Sequence, residues 1–228
     1  EKIVLSNKIF PDMIEPNEKI IVEKWQDGTP LDRFDQKGIE ITMKWLTEFQ
    51  KFSTGEEYSD EEIRDEVMNV REELSKIKIM KELPYDEWLD EYEDELKGKN
   101  LKKTGVHGDF QSRNILIDHE KKQANVIDWD WRFQVQGNPI YDYVWLATNM
   151  MMFSNNPIKE FYKNFQKNDG VMKNVILIKN TMKNNLQVEL DFVKLQIFLI
   201  MRFITIRIKD EDDGYMTYVR ILQKFSKE

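Results

Sequence analysis

The tightest constraint in this chain is a polar stretch set against two apolar runs. His107-Gly108-Asp109-Phe110-Gln111-Ser112-Arg113-Asn114 leads directly into Ile115-Leu116-Ile117. After the polar turn Asp118 to Gln123, the chain continues as Ala124-Asn125-Val126-Ile127-Asp128. Two short apolar runs around a polar turn specify a β-hairpin, with His107 to Arg113 as the loop entering it. This arrangement predicts Asp109 at the surface on a loop, with Asn114 and Asp128 fixed on the hairpin.

That order and spacing suit phosphoryl transfer. An aspartate five residues before an asparagine can act as base or orient a hydroxyl, while the asparagine oxygen holds a metal. Asp128, fourteen residues beyond Asn114, can bridge the metal to nucleotide phosphates. Magnesium takes oxygen ligands and keeps several waters, so one carboxylate and one carboxamide suffice from the protein. Gly108 permits a tight turn. His107 is placed to brace the loop by hydrogen bonding, with a zinc or acid–base role as the rival reading. The chain has 2 histidines and no cysteine, which argues against a histidine-rich metal site and rules out disulfides and thiolate sites.

With 228 residues, 40% hydrophobic and 33% charged, the chain is long enough for a buried core and too apolar for disorder. Its net charge of −8 disfavours non-specific nucleic-acid binding. Two acidic runs stand out: Glu56 to Glu66 has seven acids against one arginine, and Asp86 to Glu95 has seven acids and no base. They read as solvated helix faces, with the lining of a site for a cationic substrate as the alternative. The most apolar stretch, Phe192 to Ile208, is interrupted by Lys194, Arg202 and Arg207, so it reads as a core helix. The N-terminus lacks the apolar region of a signal peptide, and the expected location is the cytoplasm.

Periodicity predicts the remaining elements. Ile20 to Trp25 reads as a strand closed by Asp27-Gly28-Thr29-Pro30. Helices are expected over Gly38 to Phe52, Glu56 to Lys81 (closed by Leu83-Pro84) and around Trp88 to Leu96, ended by Gly98. After Gly137-Asn138-Pro139 the chain reads as helical: Tyr141 to Phe153, Ile158 to Gln166, Val171 to Leu186, Glu189 to Lys209 and Gly214 to Ser226. Trp145 to Phe153 reads as core. Trp129 and Trp131 read as packing residues, with substrate stacking as the alternative.

His107-Gly108-Asp109-x-x-x-x-Asn114 with Val126-Ile127-Asp128-Trp129-Asp130 resembles the aminoglycoside phosphotransferase and choline kinase family, a branch of the protein-kinase-like fold. Gly137-Asn138-Pro139-Ile140-Tyr141-Asp142 is similar to that family's Gly-Asp-Pro-x-x-Asp segment. Ile21 to Leu31 resembles its hinge strand and following turn. The resemblance implies an α+β, mostly helical fold: a protein-kinase-like C-terminal lobe with a catalytic β-hairpin. Residues 1–30 would be a remnant of the N-terminal lobe with the hinge strand, and 31–228 the C-terminal lobe. Within the latter lie helices over 38–97, the catalytic loop and hairpin over 107–130, and a helical remainder over 140–226.

By the same resemblance, Asp109 is the catalytic base, Asn114 and Asp128 hold Mg2+, and Glu23, Lys24, Trp25 and Ile127 contact ATP or GTP. Asp142 braces the catalytic loop by accepting backbone N–H bonds, with His107 supporting it. Asp130 is either a group behind the metal or solvent-facing. The chain departs from the family at Gln50, where a histidine is usual, and at Asn138, where aspartate is frequent. The residues before Ile20 contain no glycine-rich loop, placed strand lysine or partner glutamate. The expectation is a C-terminal lobe separated from its small lobe, poorly active by itself. Two function classes follow: a small-molecule kinase acting on an aminoglycoside, choline or sugar-type hydroxyl, or a non-catalytic kinase-like binding or regulatory module. The acidic runs lean toward a cationic acceptor.

Overall fold

The computed structural model describes residues 13–17, 20–23, 27–129, 134–166, 169–210 and 212–227. Among them the fold is mostly helical, with small antiparallel sheets. β1 (Met13–Asn17) pairs with β2 (Ile20–Glu23), in register Met13 to Glu23 and Ile14 to Val22. A second sheet joins β3 (Thr29–Pro30), β5 (Ile115–Asp118) and β6 (Gln123–Val126) in the order β3-β5-β6. β5 and β6 are the expected hairpin, with Ile115 opposite Val126 and Asp118 opposite Gln123. Gly28, at φ +134°, lets β3 approach: a Cβ there would lie 3.1 Å from the backbone of Ile117.

Two strands went unpredicted within the large lobe: β4 (Thr104–Val106) and β7 (Gln134–Gly137), which pair antiparallel. At three and four residues they are too short to show alternation. β4 delivers the chain into the loop that begins at His107.

α1 (Gln36–Phe52) starts at Asp35, whose side chain accepts from Gly38 N at 3.0 Å. The helix expected over Glu56 to Lys81 is shorter in the structure: α2 runs Asp60–Ser75. Before it, the backbone of 55–58 bonds the 101–103 segment instead, through Gly55 N to Lys103 O, Lys103 N to Glu56 O and Tyr58 N to Leu101 O. After it, Ile77 is extended and a 3-10 helix, Lys78–Glu82, buries Met80 completely. α3 (Tyr85–Leu96) follows, and Gly98 leaves it at φ +70°.

The rest is α4 (Tyr141–Met152), α5 (Pro157–Gln166), α6 (Gly170–Leu186), α7 (Phe192–Lys209) and α8 (Tyr215–Phe225). α4 and α7 form the centre. α4 packs on α5, α6 and α7, and α7 packs on α2, α3, α4 and α8. They therefore bury residues on all sides, including Val144, Leu146, Ala147, Met150, Phe198, Ile200, Met201 and Phe203. α2 and α3 instead show one apolar stripe each, with the acidic runs largely outside it. No helix among the described residues is long and apolar enough to cross a membrane.

Candidate active site

The loop after β4 is held from two directions. Asp142, in the first turn of α4, accepts backbone N–H bonds from His107 at 2.8 Å and Gly108 at 3.2 Å. Burial pushes its carboxyl above the usual carboxylate range, and these two donors only partly offset that. His107 is fully buried, and its Nε2 lies 2.9 Å from Ile127 O. Its Nδ1 accepts from Asp109 N at 3.3 Å, so the tautomer with hydrogen on Nε2 satisfies both contacts. Trp129 packs edge-on against the His107 ring, centroids 4.6 Å apart, and donates Nε1–H to Val126 O. Trp129 is thus a packing residue here. Gly108, at φ +82°, makes the turn between His107 and Asp109.

Asp109 is 2% exposed rather than at the surface as expected. Its Oδ2 accepts from Gln111 Nε2 at 2.8 Å and Asn114 Nδ2 at 3.2 Å, while Oδ1 accepts from Trp145 Nε1 at 3.2 Å. Arg113 reaches Oδ2 at 3.9 Å. The physical reason for the burial is the following Phe110. It is itself fully buried and stacked on Trp45, which draws the loop against α1.

Asn114 ends the short 3-10 helix Ser112–Asn114. Its Nδ2 also bonds Asp109 O at 3.0 Å, so the amide nitrogen is turned to Asp109 and Oδ1 is the atom left for a cation. Asn114 O accepts from Ile127 N at 2.9 Å, which sets Asn114 across from Ile127 and next to Asp128. Asp128 is exposed, in the left-handed region at φ +64°. Aspartate tolerates that conformation better than most residues. Among the described residues no group of three His, Asp or Glu side chains gathers. One carboxamide oxygen and one carboxylate still fit Mg2+, which commonly takes its other positions from phosphate and water.

Of the residues expected at the nucleotide, Ile127 is half-buried, with its N–H and C=O taken by Asn114 and His107. Glu23 ends β2. Lys24 and Trp25, and likewise Asp130 and Trp131, lie outside the described residues. Gln50, near the end of α1, donates to Pro139 O at 2.8 Å and accepts from Asn185 Nδ2 at 3.0 Å. Asn138 accepts from Ile140 N and donates to Tyr92 OH at 3.0 Å. The acidic runs are partly neutralised: Glu62 pairs with Lys103, Glu93 with Arg64, and Asp86 and Asp90 with Arg71.

Three side chains at Asp109 went unread in the sequence. Gln111 and Trp145 donate to its carboxylate, and Asn149 donates to Gln111 Oε1 at 3.1 Å. Gln111 lies inside the motif and could have been found there. Trp145 and Asn149 could not, because both sit on a helix whose pattern reads as core.

Residues 25–173 match the family model described as the phosphotransferase enzyme family. The chain belongs to the phosphotransferase enzyme family. Among solved structures, a Plasmodium vivax ethanolamine kinase is similar over 99% of this chain and 69% of its own length, with TM-score 0.66 and 15% identity. A glucosamine kinase is similar over 89% of this chain and 59% of its own, with TM-score 0.51 and 14% identity. At these identities the likeness is one of fold, and that fold is a kinase-like C-terminal lobe. No curated protein matches the chain in sequence.

Proposed function

We propose that this chain is the catalytic lobe of a small-molecule kinase. It would move the γ-phosphoryl group of ATP or GTP onto a hydroxyl of an amine-bearing alcohol. The observation supporting this most directly is the joining of Asp109 to Asn114 by two hydrogen bonds, with Asp128 one residue from Asn114's backbone partner.

In this reading Asp109 accepts the acceptor's hydroxyl proton while the oxygen attacks the γ-phosphorus, and the nucleoside diphosphate leaves. Gln111, Asn114 and Trp145 fix the carboxylate's direction. Asn114 Oδ1 and Asp128 would hold Mg2+, which when bound neutralises charge on the phosphate oxygens. Ile127 and the β2 end near Glu23 to Trp25 would meet the nucleotide. The acceptor class rests on the two similar structures, whose named substrates both carry an amine and a hydroxyl. The chain's net charge of −8 favours approach of a cation. Because the chain spans 69% and 59% of those structures, the reaction is proposed for a protein in which this lobe meets a nucleotide-covering lobe. A cytoplasmic location would supply the nucleotide.

The burial of Asp109 favours one second reading, a kinase-like module that holds ligand without turnover. Asp109→Asn in the full-length protein separates the two, assayed by nucleoside diphosphate release with ethanolamine, choline and glucosamine. We expect kcat to fall by ~10² or more with KM little changed. A parent with no turnover on any amine alcohol would support the module, and an unaltered kcat in the variant would remove Asp109 from the base role.

A further inference from the structure

On the side of the lobe bounded by the ends of α1 and α6, a cavity of about 230 Å³ opens beside β4. It is smaller than the roughly 300–1,000 Å³ typical of sites for drug-sized molecules, so it suits a small ligand. Lys51 and Lys102 line it. Both are exposed, and neither has a carboxylate within 4.0 Å among the described residues, whereas the neighbouring Lys103 takes Glu56 and Glu62. Glu57, bridged to Lys102 through the backbone, does not pair with its ammonium group. The ends of α1 and α6 contribute about −0.5 each at most, which two ammonium charges outweigh.

The third feature is Thr104, which also lines the cavity and is 3% exposed. Its Oγ1 is buried with no hydrogen-bond partner. A buried hydroxyl without a partner carries an uncompensated desolvation cost, and a ligand oxygen would remove it once the side chain turns the hydroxyl toward the cavity. Two unpaired cations and one orphaned hydroxyl around a small cavity describe a site for a compact oxyanion.

We propose that this cavity binds a phosphate group, separately from the catalytic loop, through Lys51, Lys102 and the Thr104 hydroxyl. Its lining includes Gln50 and Asn185. Gln50 holds Pro139 O, and Asn185 donates to both Gln50 and Tyr143 OH at 3.0 Å. Pro139 and Tyr143 flank Asp142, which holds the catalytic loop. Occupancy of the cavity therefore has a hydrogen-bonded route to that loop, in the manner of an effector site.

The test is titration of the 228-residue chain with inorganic phosphate, followed by amide shifts in 1H–15N spectra, with chloride as the ionic-strength control. Saturable shifts are expected at Lys102, Thr104, Gly105 and Asn185. Lys51→Gln combined with Lys102→Gln should weaken the apparent Kd at least ten-fold. Thr104→Val should weaken it at least three-fold while leaving Tm unchanged or higher, because the substitution removes an unpaired buried hydroxyl at constant shape. Asp109→Asn should leave this binding intact, which makes the result independent of the catalytic reading. Methyl phosphate in a parallel titration distinguishes a phosphomonoester from free phosphate by whichever saturates at lower concentration. Shifts confined to His107 to Asn114, saturation unaltered in the lysine variant, or a drift matched by chloride would each overturn the proposal.

Discussion

Trp145 serves two neighbours at once, and the pair illustrates what a single residue decides here. Its ring stacks on Phe203 with centroids 3.5 Å apart, and its N–H reaches Asp109. Trp145→Phe keeps a ring for the stack and deletes the donor. Hydrogen bonds to charged groups contribute about 1.5–3 kcal/mol, and 1.36 kcal/mol is ten-fold in rate. In the intact enzyme kcat should therefore drop roughly ten-fold or more, while urea unfolding remains one transition. An unchanged kcat would mean that Gln111 and Asn114 suffice to hold Asp109. Asp142 makes a second prediction at this scale, through pH. In the unfolded chain an aspartate ionises near ~3.9, whereas burial raises the value in the folded protein. Between the two values the native state binds the extra proton, so stability declines as pH rises through that window. Asp142→Asn cannot titrate, and its stability should decline less steeply from about pH 4 upward. Parallel curves for parent and variant in urea unfolding would show that Asp142 is not the group responsible.

Among the elements, α2 shows how local signals and long-range pairing divide the work. Ser59 and Glu62 form a reciprocal cap: Ser59 Oγ accepts from Glu62 N at 3.2 Å, and Glu62 Oε2 accepts from Ser59 N at 3.0 Å. The Ser-x-x-Glu pattern is legible in the sequence, yet the apolar period alone carried the expected helix past it to Glu56. What stops the helix is the 101–103 segment, which takes the backbone groups of residues 55–58. Ser59→Ala should cost about 1 kcal/mol, within the 0.5–2 kcal/mol seen for lost caps. The readout is the urea midpoint at constant slope. No change in midpoint would mean that the 55–58 pairing, not the cap, fixes the start of α2. The hairpin β5–β6 is the opposite case. Its two runs and its turn are contiguous, so the hairpin was legible in the sequence, while its register, and the pairing that sets Asn114 beside Ile127 and Asp128, came from the structure.

Taken as a whole, the molecule is organised by α4 and α7, which every other helix beyond α1 touches directly or through one neighbour. Tyr92 of α3 stacks on Phe198 of α7 with centroids 3.5 Å apart, tying the acidic N-terminal helices to the C-terminal ones. Phe198→Ala should cost about 3–5 kcal/mol. It should leave a single transition in which tryptophan fluorescence and far-UV circular dichroism coincide. Separate transitions would show that the α1–α3 and α4–α8 halves are independent units. The sequence by itself determined most of the helices, the hairpin and the Asp109–Asn114–Asp128 spacing, because each is written in a contiguous stretch of chain, whereas the short strands β1, β3, β4 and β7 were not read from it. The tertiary structure alone decided that Asp109 is buried, that Trp145 holds it across 36 positions, and that Gln50 reaches Pro139 and Asn185 across 89 and 135. Side-chain period reports which face of an element is apolar. It carries no information about which distant polar group that face will meet, and at this site those distant meetings set the geometry.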